Sequence, residues 1–343
     1  METVNVSGMQ RALLAFYRKH KRDLPWRRTT DPYAIWVSEI MLQQTQVQTV
    51  APRFGRFLQQ FPTVAALAAA DESTVCEAWA GLGYYRRARH LHKAARVIIA
   101  EHDGVAPTTA AELRHLPGIG AYTAAAVASI AFDEKIAAVD GNLVRVLSRV
   151  FSLPGRADDP ALIAGVRDHA ERLVQNARPG DINQALMDIG ATICRADGAD
   201  CAPCPLRETC GAHAEGRPLH YPEKKKPTAR KALPVAFAWI ERAGQVLLEQ
   251  RPLDGLWPGL WQLPSAEGRA AKATLGKRLG EKMGPAIVRV SHTLSHRDVT
   301  ATVYRATAVA SAGQRWWRNP LSAPLSGLAR KAIQSTLSLW KRP

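Results

Sequence analysis

Cysteine is scarce in this 343-residue chain, acidic side chains are outnumbered, and long hydrophobic runs are missing. Five cysteines are too few for a fold stapled by disulfides. No stretch approaches the 18 or so uninterrupted apolar residues that cross a bilayer, so a membrane-spanning helix is excluded. The first 22 residues, METVNVSGMQRALLAFYRKHKR, hold no apolar core of signal-peptide length, so the thiols are expected to stay reduced, in a bacterial cytoplasm or, as the alternative, a nucleus. The deficit of acid is uneven. The whole chain has 30 Asp and Glu against 46 Lys and Arg, a net charge of +16. Residues 223–343 have 7 acidic against 21 basic side chains, whereas residues 1–222 are nearly balanced at 23 against 25. Such an excess draws a polyanion and argues against basic partners, without naming a sequence or a substrate.

What is present is concentrated. Cys194, Cys201, Cys204 and Cys210 fall within seventeen positions as C-x6-C-x2-C-x5-C, the spacing of one metal site. Four thiolates suit zinc or an iron-sulfur cluster. A single short pair flanked by spacers of six and five fits one cuboidal 4Fe-4S cluster better than the two short pairs of a zinc knuckle. Cys76 stands apart in an apolar run and reads as a small core residue.

Two domains are expected. Helical periodicity runs through 9–19, 32–60, 71–79, 86–101, 121–131, 142–151, 160–176 and 181–193, giving an all-α domain over residues 1–216. The stretch 217–232, rich in proline and lysine and without an apolar period, reads as a linker. From 233 to 343 the pattern changes to short β-type runs at 235–240, 245–248, 287–290 and 299–308, with helices at 270–282 and 327–339, an α+β domain.

Three places in the first domain carry chemistry. LPGIGAYTAAAV (116–127) sets a glycine-rich turn between two helices, a helix-hairpin-helix in which Gly118 and Gly120 let backbone amides and the positive end of a helix approach a phosphate. Glu39 lies in WVSEIMLQQTQ (36–46), on a helical stripe with Ile35, Leu42 and Gln46, where an apolar face favours the protonated carboxyl. Asp140 follows an apolar approach and precedes a helix, so it or Asn142 is a candidate N-cap, and helix amides are expected to keep its carboxylate ionised. One protonated and one charged carboxylate is the division of labour that cleaves glycosidic bonds.

The hairpin, an aspartate about twenty residues beyond it and the cysteine run together resemble the DNA glycosylase superfamily typified by endonuclease III. More narrowly, WVSEIMLQQTQ (36–46), GLGYYRRAR (81–89), VDGN (139–142) and NQALMDIGA (183–191) resemble the adenine DNA glycosylases of the MutY type. The resemblance covers nearly the whole chain. It implies two helical subdomains with a groove between them, a 4-iron cluster, and removal of adenine mispaired with 8-oxoguanine or guanine in duplex DNA by a monomer.

By that match Glu39 protonates the adenine, and Asp140 stabilises the sugar cation. Tyr122 and Asn142 position these groups. Gln44 and Tyr84 are wedge residues, filling the gap left by a flipped base. Arg22, Trp26, Arg27 and Gln184 match adenine-pocket positions, while the basic pair Arg86 and Arg87 reads equally as a phosphate contact or as a solvated face. Endonuclease III carries a lysine where Tyr122 stands, and a phenol forms no Schiff base, so the resemblance implies an abasic product without strand scission. In the second domain GLWPGLWQLP (255–264) resembles the family's Nudix-like recognition domain, while residues 266–284 lack the REx2EE glutamates of a pyrophosphatase. Leu294, Ser295 and His296 match the segment that reads 8-oxoguanine, with leucine where the family has phenylalanine.

Overall fold

The computed structural model describes residues 5–224, 229–252, 255–294, 296–307 and 313–340. They form two compact units, one helical and ending before residue 227, the other built on sheets.

The helical unit runs α1 (Val6–His20), α2 (Pro32–Leu42), α3 (Val47–Gln60), α4 (Val64–Ala69), α5 (Glu72–Ala78), α6 (Arg86–Glu101), α7 (Ala110–Leu113), α8 (Ala121–Ala131), α9 (Gly141–Val150), α10 (Pro160–Val174), α11 (Pro179–Thr192) and α12 (Gly211–Ala214). Helix starts follow capping chemistry. Asp31, Thr63, Thr109, Asp140 and Asp159 each accept a backbone amide of the helix they open. Around α9 the helices α1, α8, α10 and α11 bury one apolar core, with Leu13, Val146, Leu147, Val166, Ile182 and Leu186 sealed from solvent. Burying each such side chain contributes roughly 1.5–3 kcal/mol.

The sequence predicts one helix over 32–60, but the structure breaks it at Gln43–Gln46. No Gly or Pro signals the break, because a residue from another helix makes it. Arg87 of α6 donates through Nη1 to the carbonyls of Ile40, Met41 and Gln43 at 2.8, 2.9 and 2.5 Å. Through Nη2 it donates to Thr45 Oγ1 and Leu82 O at 2.9 and 3.0 Å. The carbonyls that end a helix have no intrahelical partners, and here one guanidinium takes them. Arg87 is therefore a structural clamp, neither the phosphate contact nor the solvated residue expected, while Arg86 beside it is exposed. The short helices α4, α7 and α12 also escape the periodicity, being too brief to repeat a hydrophobic stripe. Cys76 is partly exposed rather than a core residue.

The stretch 217–232 is only partly a linker. Tyr221 O accepts from Arg149 Nε at 2.8 Å, and Glu223 N donates to Gly155 O at 2.9 Å, so residues up to 223 are fastened to the helical unit.

The second unit runs β1 (Lys231–Trp239), β2 (Glu241–Arg242), β3 (Gln245–Gln250), β4 (Trp261–Gln262), β5 (Ser265–Glu267), α13 (Ala271–Leu279), β6 (Ala286–Leu294), β7 (Arg297–Arg305), β8 (Gln314–Trp317) and α14 (Gly327–Trp340). One sheet has the order β5-β1-β7-β6, with β1 parallel to β7 and the other pairs antiparallel. In the other, β3 pairs antiparallel with β2, β4 and β8. Alternate residues of β1 feed two cores, Val235, Phe237 and Trp239 on the side covered by α14, and Ala236 and Ala238 on the side covered by α13. The strands missed by the sequence reading, β2, β4, β5 and β8, have two to four residues, too few for alternation to register.

Candidate active site

Three elements of the helical unit bring the acidic pair together. Glu39 sits in the third turn of α2, only 6% exposed. Because α2 stops at Leu42, Gln46 leaves the stripe expected to carry Glu39 and becomes the N-cap of α3. Tyr122, in the first turn of α8, donates its hydroxyl to Glu39 Oε2 at 2.9 Å. Burial pushes the Glu39 carboxyl up to about 7, helped by the nearby charge of Asp140 and opposed by the Tyr122 hydrogen bond and by Arg27. Burial likewise holds the Tyr122 phenol well above its ordinary value.

Asp140 is the N-cap of α9. Its Oδ1 accepts the amides of Asn142 and Leu143 at 2.9 and 2.8 Å, and its Oδ2 accepts Asn142 Nδ2 at 2.7 Å. Burial raises its carboxyl above the ordinary value, against the pull of those three donors. The helix amides expected to keep this carboxylate ionised are in place, but desolvation is the larger effect and raises the carboxyl. The two carboxyls still differ in kind. Glu39 accepts one phenol and Asp140 three donors, so a proton shared by the pair rests on Glu39. The approach to Asp140 is fixed by Asn183, fully buried on α11. It accepts Ala138 N through Oδ1 and donates to Ile136 O and Ser129 Oγ.

The hairpin before Tyr122 has Gly118 at φ 79°, where a Cβ would lie 2.5 Å from the Cβ of His90. Only glycine fits there. Gly120 is not left-handed; it caps α8 without a side chain, leaving space in front of the first amides.

The expected wedge residues share an unusual backbone. Gln44 and Tyr84 both take positive φ, 55° and 47°, and both are exposed, Tyr84 by 58%. Left-handed backbone costs a non-glycine residue about 1–2 kcal/mol, and it persists where surrounding bonds over-determine it. Gln43 Nε2 bonded to Thr123 Oγ1 at 3.1 Å and the Arg87 clamp do so for Gln44.

The expected adenine-pocket residues divide. Trp26 is buried, with its ring edge against Phe54. Gln184 donates to Gly180 O of its own helix. Arg22 and Arg27 are engaged by an acid that the sequence reading did not single out. Asp188, 1% exposed in α11, accepts Arg22 Nε and Arg27 Nη1 at 2.5 Å each and Arg27 Nη2 at 3.0 Å. Its one signal in the sequence is an acid among the apolar neighbours of ALMDIGA, which must find cations to be buried.

Cys194, Cys201, Cys204 and Cys210 line one pocket beside Arg149 and Arg207. Arg149, nearly sealed, donates to Cys194 Sγ at 3.2 Å. Burial raises the thiols of Cys201, Cys204 and Cys210, with Cys204 pushed up to about 11, so a ligand that coordinates sulfur must displace their protons. No three His, Cys, Asp or Glu side chains among the described residues form a group suited to a single ion. Arg145 ties this loop to the acidic site, donating to Cys194 O at 2.8 Å and to Asn142 Oδ1 and Gly190 O at 2.7 Å each.

In the second unit Leu294 pairs with Arg297 at the end of the β6–β7 hairpin, and His296 is exposed with its carbonyl accepting Lys231 N at 3.1 Å. Ser295 lies outside the described residues.

Residues 37–165 match the HhH-GPD superfamily of base excision DNA repair proteins and residues 235–335 match a NUDIX domain. The chain is similar to the adenine DNA glycosylase of Rattus norvegicus, 33% identical over 405 aligned positions that take in 97% of this chain and 78% of the relative. Among solved structures it is similar to a thermostable thymine-DNA glycosylase, 31% identical at a TM-score of 0.56, over 61% of this chain and 97% of that one. A non-covalent endonuclease III–DNA complex shares the fold at 22% identity and a TM-score of 0.54, over 63% of this chain and 99% of that one. The hairpin, the paired carboxyls and this similarity define a helix-hairpin-helix base-excision glycosylase, a hydrolase of N-glycosidic bonds. Within that class the chain belongs to the adenine DNA glycosylase family.

Proposed function

We propose that this enzyme removes adenine paired opposite 8-oxoguanine or guanine in duplex DNA and leaves an abasic site. The observation that carries the reading is a nearly sealed carboxyl, Glu39, raised to about 7 and bonded to Tyr122, beside an Asp140 carboxylate held by three donors. Adenine leaves poorly until a ring nitrogen is protonated, and a neutral Glu39 supplies that proton at physiological pH. The glycosidic carbon then develops positive charge, and Asp140 is the anion placed to stabilise it, by ion pairing or a transient bond, before water completes hydrolysis. Asn142 fixes Asp140 through Nδ2, and Tyr122 holds Glu39. Arg22, Trp26, Arg27 and Gln184 would frame the extruded base.

The exposed, left-handed Gln44 and Tyr84 are suited to enter the stack when the base flips out, a step that costs a few kcal/mol. Gly118 and the open start of α8 would hold phosphate by backbone amides. Leu294, Ser295 and His296 would meet the opposing lesion, leucine by wedging rather than stacking. The second unit's positive charge supplies attraction for the duplex.

The four cysteines would hold one 4Fe-4S cluster. The donor set fits, since four thiols border one pocket, none is in a disulfide, and the Arg149 guanidinium faces Cys194 Sγ. When bound, such a cluster fastens residues 194–210 against α9 and α11. The purified protein is expected to be brown and to release sulfide on acidification. A colourless protein with bound zinc would overturn the cluster.

The test of activity is a duplex with one adenine opposite 8-oxoguanine. The expected product is an abasic site in an intact strand that breaks only on adding alkali, because Tyr122 has no amine to form a Schiff base. Scission without alkali, or adenine left in place, would overturn the proposal. The chain is proposed to act as a monomer in a bacterial cytoplasm, on nucleoid DNA. No helix among the described residues is long and apolar enough to cross a membrane.

A further inference from the structure

We propose that Asp188 is a positioning residue that keeps Glu39 protonated, by binding and neutralising the guanidinium of Arg27 beside it. The inference rests on the acid role of Glu39 proposed above. Asp188 projects from α11 into a space where it is almost completely sealed, and both of its carboxylate oxygens are taken by guanidiniums. Arg27, with 7% of its side chain exposed, meets it through two nitrogens. Arg22 meets it through one side-chain nitrogen and its backbone amide, and 30% of its side chain faces solvent.

The groups that face Glu39 come from three directions. Tyr122 of α8 bonds to it, Asp140 at the start of α9 raises its carboxyl by like charge, and Arg27, from the short turn at Pro25–Arg27, lowers it. Arg27 is the one cation among them. Around Arg27 itself lie Asp188 and the Tyr17 ring of α1 at 5.6 Å, and the Tyr17 ring in turn feels the charges of Arg178 and Asp181 at the start of α11. Among the described residues, Asp188 is the acid that bonds directly to Arg27.

A buried guanidinium without its counter-charge acts on a neighbouring carboxyl with little screening, and the sign is unambiguous. It favours the ionised acid, and an ionised Glu39 has no proton to give. Asp188 cancels the field of Arg27, the cation that lowers the Glu39 carboxyl, and its carboxylate adds no positive charge of its own. Arg22 is better solvated and its charge is screened, so Arg27 is the partner that matters.

The measurement is the rate of adenine release in a single turnover, followed against pH on the 8-oxoguanine duplex with the full-length protein. Release requires protonated Glu39, so the rate falls as pH rises through its pKa. In Asp188→Asn, which keeps the shape and removes the charge, the midpoint of that alkaline limb is expected to move down by about one pH unit or more, with the rate on the acid side within about threefold of the parent. Asp188→Glu is expected to restore the midpoint. Should Asp188→Asn fail to fold, Arg27→Gln decides, and its midpoint is expected to move up. A rate lowered equally at every pH with the midpoint unmoved in both variants would overturn the inference and leave Asp188 a structural ion-pair residue. Failure of the underlying acid role reads differently, as base release that persists in Glu39→Gln.

Discussion

Glu39→Gln is expected to lower adenine release by about 10³-fold, within the range a positioned proton donor contributes, and to leave duplex binding almost unchanged. Glutamine keeps the shape of the side chain and an oxygen for the Tyr122 hydroxyl, so what it removes is the proton. The same substitution is expected to stabilise the fold at high pH. A carboxyl that titrates near 4.5 in the unfolded chain and about 7 in the folded one binds more protons when folded. The stability held by the neutral acid is therefore fully present below about pH 4.5 and is lost as pH rises through about 7. Each tenfold change in proton affinity corresponds to about 1.4 kcal/mol, so the loss above pH 7 comes to roughly 3 kcal/mol. Melting curves should coincide at pH 4, diverge between about pH 4.5 and 7 and stay apart above that, with the glutamine variant higher. A variant that is inactive and no more stable at high pH would show that Glu39 is not held neutral by its surroundings. One that is stabilised yet active would remove it as the acid.

That cost explains why the site is legible in the sequence. An acid in the apolar helix segment WVSEIML contradicts its local pattern, and such departures are where a functional place is sought. Asp140 instead obeys local rules as a helix cap and stands out only in company with Glu39 and the hairpin. The helix spans of the first domain are legible because α6 and α9 repeat an apolar stripe, whereas α8 is apolar nearly all round and reads as a buried helix. What stays hidden depends on contacts distant in sequence. Arg87 reads as a phosphate ligand or a solvated residue because two adjacent arginines in GLGYYRRAR suggest an open face, and nothing local shows that three carbonyls at the end of α2 would claim it. Asp188 is hidden in the same way, its partners lying more than 160 residues upstream. Asn183 belongs to a recognisable motif, but its work is architectural, holding the extended segment that delivers Asp140. The clustered cysteines are legible by spacing alone, whereas the short strands of the second unit need their partners to be defined at all.

Asp140 caps α9 with the same two oxygens that are proposed to face the sugar cation, and two substitutions should separate these roles. Asparagine caps a helix about as well as aspartate, so Asp140→Asn is expected to keep the amides of Asn142 and Leu143 satisfied. The variant gives up the bond from Asn142 Nδ2 while shedding the cost of a buried charge, and is expected to melt within a few degrees of the parent. It removes the anion beside the developing sugar cation, and adenine release is expected to fall by about 10²–10³-fold, the loss typical of deleting one preorganised electrostatic group. Asp140→Ala removes cap and charge together. It is expected to lose as much activity and also about 1 kcal/mol of stability, visible as a lower midpoint in thermal unfolding. Equal stability in the two variants would show that the cap is dispensable. An active asparagine variant would show that the charge is, and the anion would then have to be sought elsewhere. The buried setting favours the charge being essential, because burial raises this carboxyl while three donors oppose it. A position needed only as a cap would be served as well by a neutral asparagine, which carries no such desolvation cost.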